Sequence, residues 1–116
     1  MHELPVMNSI LSIVEKHAKA NNVKKVMKIY LRVGNLSDLE DKWMQHYFDY
    51  LTKDGIADGA KLMIKRTPAM MKCSECSHEF EIDIKDDKKI VCTECGCEKS
   101  TLISGREYYI ENMEVI

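Results

Sequence analysis

The sequence predicts an α+β fold: a small mixed sheet with two helices, into which a cysteine-rich ribbon module is inserted. Three observations predict it. Two segments carry apolar residues at helical spacing, and several others alternate as strands do. Two cysteine pairs, Cys73-Ser-Glu-Cys76 and Cys92-Thr-Glu-Cys95, stand with fifteen residues between them.

The first helix is expected over residues 4–21. Pro5 suits its opening turn, where a missing N–H costs nothing. Leu4, Met7, Leu11, Val14 and Ala18 recur at helical spacing, Val6, Ile10 and Ile13 widen the stripe, and Asn21-Asn22 ends it. Residues 26–33 alternate as a strand, with Met27, Ile29, Leu31 and Val33 on one face and Lys28, Tyr30 and Arg32 on the other. Gly34-Asn35 marks a turn. Ser37 or Asp38 can cap a second helix running from about residue 40 to 52. Its apolar face would carry Trp43, Tyr47 or Phe48, and Leu51, and Asp54-Gly55 stops it. A second alternating run covers residues 60–67, with Leu62 and Ile64 inward.

Pro68 opens a break before the cysteine region. Between the cysteine pairs lie Phe80-Glu-Ile-Asp-Ile84, a polar turn at 85–89, and Ile90-Val91, which together predict a hairpin held at its open end by two cysteine knuckles. Strand character returns at 106–110 and continues to Val115. A lone strand cannot bury itself, so this one is expected to rejoin the first domain's sheet. Residues 1–69 are therefore expected to form the first part of one domain, 70–99 the inserted module, and 100–116 the closing strand.

The four-cysteine spacing carries chemistry. Each CxxC turn lets two sulfurs approach one ion at about 2.3 Å while backbone N–H groups bond the sulfurs. A module of some 25–30 residues has too little core to fold unaided, and zinc–thiolate binding of order 10 kcal/mol can supply the difference. Zn(II) on Cys73, Cys76, Cys92 and Cys95 is the expected occupant, with an iron site or a redox pair as alternatives. Four thiolates leave no open coordination position, so the site is structural or regulatory. Cys97 competes with Cys95 for the fourth place. Cys95 is favoured because its knuckle repeats the geometry at Cys73 and Cys76. His78 is close enough to replace a thiolate if the site rearranges, although a solvated histidine is the simpler reading.

Composition excludes several classes. The 116 residues are 45% hydrophobic and 31% charged, with a net charge of −2, ordinary for one folded domain carrying a small module. There is no strong positive field for nucleic acid, and Asp83, Asp86 and Asp87 in the ribbon oppose one further. No apolar run approaches the ~18–20 residues that cross a bilayer. The start, with His2, Glu3 and Pro5, is not that of a signal peptide. The expected location is therefore the cytoplasm, where paired CxxC motifs act as metal ligands rather than disulfides.

The chain opens Met1-His2-Glu3. His2 is too bulky for the usual trimming, so Met1 is expected to stay. The terminal amine, the amide nitrogen of His2 and its ring nitrogen can bind one ion through two fused rings, and the amide of Glu3 can complete a plane of four nitrogens. That set suits Ni(II) or Cu(II) and does not suit zinc. The carboxylate of Glu3, or those of Glu40 and Asp38 brought near by folding, can add oxygen ligands. His17 and His46 on the helices read as surface or packing residues. The eight methionines read mostly as core fillers. No histidine-supported nucleophile or glycine-rich phosphate loop is visible, so the chain is not expected to be an enzyme.

The Met1-His2-Glu3 start, an amphipathic helix, the Val33-Gly34-Asn35-Leu36-Ser37 turn with Glu40 after it, two CxxC pairs and a closing strand follow in order over nearly the whole chain. In this the sequence resembles the HypA/HybF family of nickel metallochaperones. The resemblance implies a nickel domain with two helices on a small sheet, and delivery of Ni(II) for [NiFe]-hydrogenase maturation. It implies as partners a HypB-type GTPase, the hydrogenase large subunit and, in some organisms, urease maturation proteins. It makes His2 the primary nickel ligand with Met1 and Glu3 beside it, places Glu40 at the family's acidic position near the nickel, and makes the four knuckle cysteines the zinc ligands. Asn35 and Thr93 depart from the family's frequent glutamate and proline, and neither removes a ligand; Cys97 is a further departure. The rival reading is a zinc-ribbon module that docks on protein or nucleic acid and has no nickel role. A zinc hydrolase is denied by the four thiolates.

Overall fold

The computed structural model describes residues 3–82 and 90–116. Met1 and His2, the turn expected at 85–89, and Asp83, Asp86 and Asp87 lie outside the described residues. The elements are α1 (Glu3–Ala20), β1 (Val26–Gly34), α2 (Asp41–Leu51), β2 (Lys61–Thr67), β3 (Met70–Cys73), β4 (Glu79–Glu81), β5 (Ser100–Ser104) and β6 (Tyr108–Val115). They form two three-stranded sheets, ordered β2-β1-β6 and β4-β3-β5. The chain divides into two compact units, one of Met1–Arg32, Asp38–Lys65 and Tyr109–Ile116, the other of Val33–Ser37 and Arg66–Tyr108.

In the first unit α1 packs on α2. The buried stripe of α1 is Glu3, Met7, Ile10, Leu11, Val14 and Ala18. Leu4 and Ile13, expected inward, fall on its margins and are exposed. The helix ends in a Schellman turn: Asn22 takes a left-handed φ of 54°, and the Val23 N–H reaches back to the Ala18 carbonyl at 2.9 Å. On α2 the buried residues are Met44 and Phe48, and Trp43 lies exposed. The inward phase is one residue later than the sequence suggested. Trp43 and Met44 are both apolar, and either phase satisfies the pattern. Ser37 and Asp38 do not cap this helix. The Ser37 hydroxyl instead donates to the Gly34 carbonyl, and Glu40 stands at the N-cap with no side-chain bond. Gln45 ties α2 to β2 by accepting the Leu62 N–H at 2.9 Å.

The sheet of this unit is mixed. Lys25 and Ile116 exchange both backbone bonds, at 3.0 and 2.9 Å, so β6 runs antiparallel to β1. The Val26 N–H meets the Ile56 carbonyl near the start of β1, and the Asn35 N–H meets the Thr67 carbonyl at its end. β2 therefore runs parallel to β1, and α2 is the crossover that such a pair requires. Ile29, Leu31, Val33 and Leu62 are buried as expected, whereas Met27 is exposed and Val26 takes the inward place at the strand's start.

In the second unit β3 is the central strand. It pairs antiparallel with β4, Met71 opposite Phe80, and with β5, Cys73 opposite Ser100, with a bulge at Met70/Met71. The segment after Ser100 thus contains two strands, and the first completes the ribbon's sheet. Cys73, Phe80 and Cys92 form a small core, with Met71, Ile82 and Cys97 packed against it. The turn after β1 folds tightly onto the turn before β6. The Gly34 N–H donates to the Glu107 carbonyl at 2.8 Å, and the Leu36 N–H to the Gly105 carbonyl at 2.7 Å.

Candidate metal centre

Two turns of near-identical design present the cysteines. In the first, the Cys73 N–H donates to the His78 carbonyl (2.9 Å) and the Ser77 N–H to the Cys73 carbonyl (3.0 Å). In the second, the Cys92 N–H donates to the Cys97 carbonyl (2.9 Å) and the Gly96 N–H to the Cys92 carbonyl (2.9 Å). Both turns pivot on a left-handed residue, Ser77 at φ 63° and Gly96 at φ 74°. A glycine marks such a position in a sequence, whereas a serine, which adopts that conformation at some cost, does not. The N–H of Glu75 points at Cys73 Sγ and that of Glu94 at Cys92 Sγ, each at 3.4 Å.

The four sulfurs converge. Cys73 Sγ lies 3.6 Å from Cys95 Sγ, Cys76 Sγ lies 3.5 Å from Cys92 Sγ, and all four lie within 4.8 Å of one another. A regular tetrahedron with metal–sulfur bonds of 2.3 Å has edges of about 3.8 Å, so the cage fits a zinc-sized ion. Cys73 and Cys92 are buried, while Cys76 and Cys95 face solvent. Among the described residues this is the single group of three or more His, Cys, Asp or Glu gathered closely enough to hold an ion. Cys97 is outside it. Its Sγ accepts the Lys99 N–H at 3.4 Å and packs on the ribbon core. His78 is also outside it, stacked on Phe80 with ring centres 6.3 Å apart.

The cage polarises its own thiols. The backbone N–H of Cys76, with that of Glu75, holds Cys73 down to about 6 against the opposing effect of burial. The N–H groups of Cys95 and Glu94 likewise lower Cys92. Cys95 moves the other way: the Cys97 N–H pulls it down, but the neighbouring Cys73 thiol, burial, and the thiols of Cys76 and Cys92 together push it up to about 12. Cys76 is raised too, the Cys92 thiol and burial outweighing the His78 N–H. Two sulfurs ionise readily and two resist, because like charges crowded this closely oppose one another.

The residues expected at the chain's start are placed in part. Glu3 is only 2% exposed, and its Oε2 has no hydrogen-bond partner among the described residues. A buried carboxylate is not foreseeable from sequence. Glu40 and Asp38 are exposed, and the described residues do not gather them with Glu3 into a ligand group. His17 is exposed on α1. His46 is exposed on α2, its ring edge-on to Trp43 and Tyr47.

A two-helix α+β body with a four-thiol cage defines a small metal-handling protein. The chain belongs to the HypA family: the family model described as "Hydrogenase/urease nickel incorporation, metallochaperone, hypA" matches residues 1–115. It is 36% identical over 117 residues to the hydrogenase maturation factor HypA of Caldanaerobacter subterraneus subsp. tengcongensis, covering 99% of each chain. It is 34% identical over 116 residues to that of Solidesulfovibrio magneticus, again covering 99% of each. Among solved structures it resembles the Ni metallochaperone HypA from Helicobacter pylori, with a TM-score of 0.69, 25% identity, and coverage of 100% of this chain and 98% of that one. A second solution structure, of a HypA protein, shares the fold at a TM-score of 0.76 and 24% identity, covering 100% and 97%.

Proposed function

We propose that this protein carries Ni(II) as cargo on Met1, His2 and Glu3, with Glu40 as a further oxygen donor, and delivers it for [NiFe]-hydrogenase maturation. Its receivers are a HypB-type GTPase and the hydrogenase large subunit, with urease maturation proteins as a second outlet. It works in the cytoplasm, catalyses no reaction, and engages neither nucleic acid nor membrane. Zn(II) is held by Cys73, Cys76, Cys92 and Cys95 as a structural ion. In this reading the zinc module begins at about residue 70 and takes in β5, and the nickel domain of residues 1–69 is closed by β6; the place of β6 beside β1 supports that return.

The observation that carries the nickel reading is Glu3. A carboxylate that is 2% exposed, with one oxygen unpartnered among the described residues, is costly to bury, and a dication held by the adjoining His2 would offset that cost. The family match over residues 1–115 supports the same assignment. No helix among the described residues is long and apolar enough to cross a membrane.

The test is a titration of tag-free, zinc-loaded protein with Ni(II), repeated with His2→Ala and with one residue added before Met1. Both variants are expected to lose nickel and keep zinc. Unchanged nickel uptake in both overturns the reading.

A further inference from the structure

One face of β1 and β2 is buried, and the other carries an uneven charge pattern. Alternation along β1 puts Lys28, Tyr30 and Arg32 opposite the buried Ile29 and Leu31, and along β2 it puts Lys61, Met63 and Lys65 opposite the buried Leu62. The bond from the Asn35 N–H to the Thr67 carbonyl fixes the parallel register at that end. Continued along both strands, it sets Lys28 beside Lys61, Tyr30 beside Met63, and Arg32 beside Lys65. Like charges on neighbouring strands are unfavourable. On the β6 side this is resolved: Arg32 Nε meets Glu111 Oε1 at 2.8 Å, and the Tyr30 hydroxyl donates to Glu114 at 2.6 Å. On the β2 side it is not. Lys28, Lys61 and Lys65 have no ion-pair partner among the described residues.

We propose that this face, with Lys28, Lys61 and Lys65 around Tyr30 and Met63, is a docking surface for an acidic protein partner. The occupant is a segment presenting an apolar side chain between carboxylates. Met63 and the Tyr30 ring take the apolar group, Met63 as an adaptable contact, and the three ammonium groups take the carboxylates. Charge complementarity of this kind steers encounter and fixes register. A polyanion such as nucleic acid or an anionic bilayer fits less well. The free cations are few, the chain's net charge is −2, and Glu111 and Glu114 border the patch. The inference does not depend on where nickel is held.

The test uses the zinc-loaded, 15N-labelled full chain and the peptide Ac-Glu-Glu-Leu-Phe-Glu-Glu-NH2, followed by amide shifts up to about 1 mM peptide. Saturable shifts confined to β1 and β2 are expected, weakened about tenfold or more by Lys61→Glu with Lys65→Glu and suppressed by added salt. The double variant should be at least as stable as the parent, since it removes a like-charge contact; its spectrum shows that it folds. Absence of shifts on these strands, or equal affinity in the double variant, overturns the proposal. Tighter binding to phosphatidylglycerol vesicles or to a single-stranded oligonucleotide through the same residues overturns the choice of partner.

Discussion

A Cβ placed on Gly34 would stand 2.0 Å from the carbonyl oxygen of Gly105, so the two backbones touch with no room for a methyl group. Gly105 is confined in turn: its φ is +120°, and an added Cβ would lie 2.9 Å from the Cα of Ala69. Three backbone segments of the second unit therefore meet at two residues that cannot carry side chains.

Gly34→Ala should cost about 3 kcal/mol or more, the upper end for overpacking, because the obstructing atoms are backbone. Gly59→Ala is the control. Its φ is +81° and nothing lies within 4 Å of the added Cβ, so only the left-handed penalty of about 1–2 kcal/mol applies. Equal urea midpoints for the two variants would refute the contact.

Phe48→Ala should cost about 3–5 kcal/mol, since Phe48 is fully buried. Trp43→Ala should cost well under that, because Trp43 is 37% exposed and rests mainly on His46 and Tyr47. Denaturant unfolding of both variants checks the inward phase of α2, and a larger loss at Trp43 contradicts it.

Cys95→Ser should lower zinc stoichiometry or affinity sharply, while Cys97→Ser should leave both unchanged. Cys95 Sγ belongs to the cage and Cys97 Sγ bonds the Lys99 N–H instead. Metal analysis after dialysis against a weak chelator distinguishes them. Zinc loss in Cys97→Ser and not in Cys95→Ser would reassign the fourth ligand.

Zinc binding should tighten as pH rises from about 6 toward the ordinary thiol value near 8.5, because each thiol must lose its proton before it binds. Cys73 and Cys92, whose values are lowered in the cage, give theirs up early, whereas Cys95, raised to about 12, gives its proton up only to the ion. Chelator competition across pH 6 to 8.5 measures the slope, and a flat or falling affinity contradicts it.

The cage was legible because its geometry is local. Each CxxC turn closes within six residues, and only the meeting of the two turns is tertiary. The helices were legible from period, but the phase of α2 was not, since Trp43, Met44, Tyr47 and Phe48 offer two apolar stripes and packing on α1 selects one. β5 was missed because Ser100, Thr101 and Ser104 give it the look of a loop; its pairing with β3 is what makes it a strand. The burial of Glu3 could not be read from sequence, where a glutamate defaults to the surface. The bare lysines of β1 and β2 were visible as an outward face, yet their side-by-side placement needed the register.

The matching pair of sulfur clasps has one more consequence. Each clasp is closed by its own backbone, from Cys73 to His78 and from Cys92 to Cys97, so the closing bonds lie inside the clasps themselves. The spacer's length is thus free to drift: residues added or removed between Ile82 and Ile90 should leave the ion's grip intact.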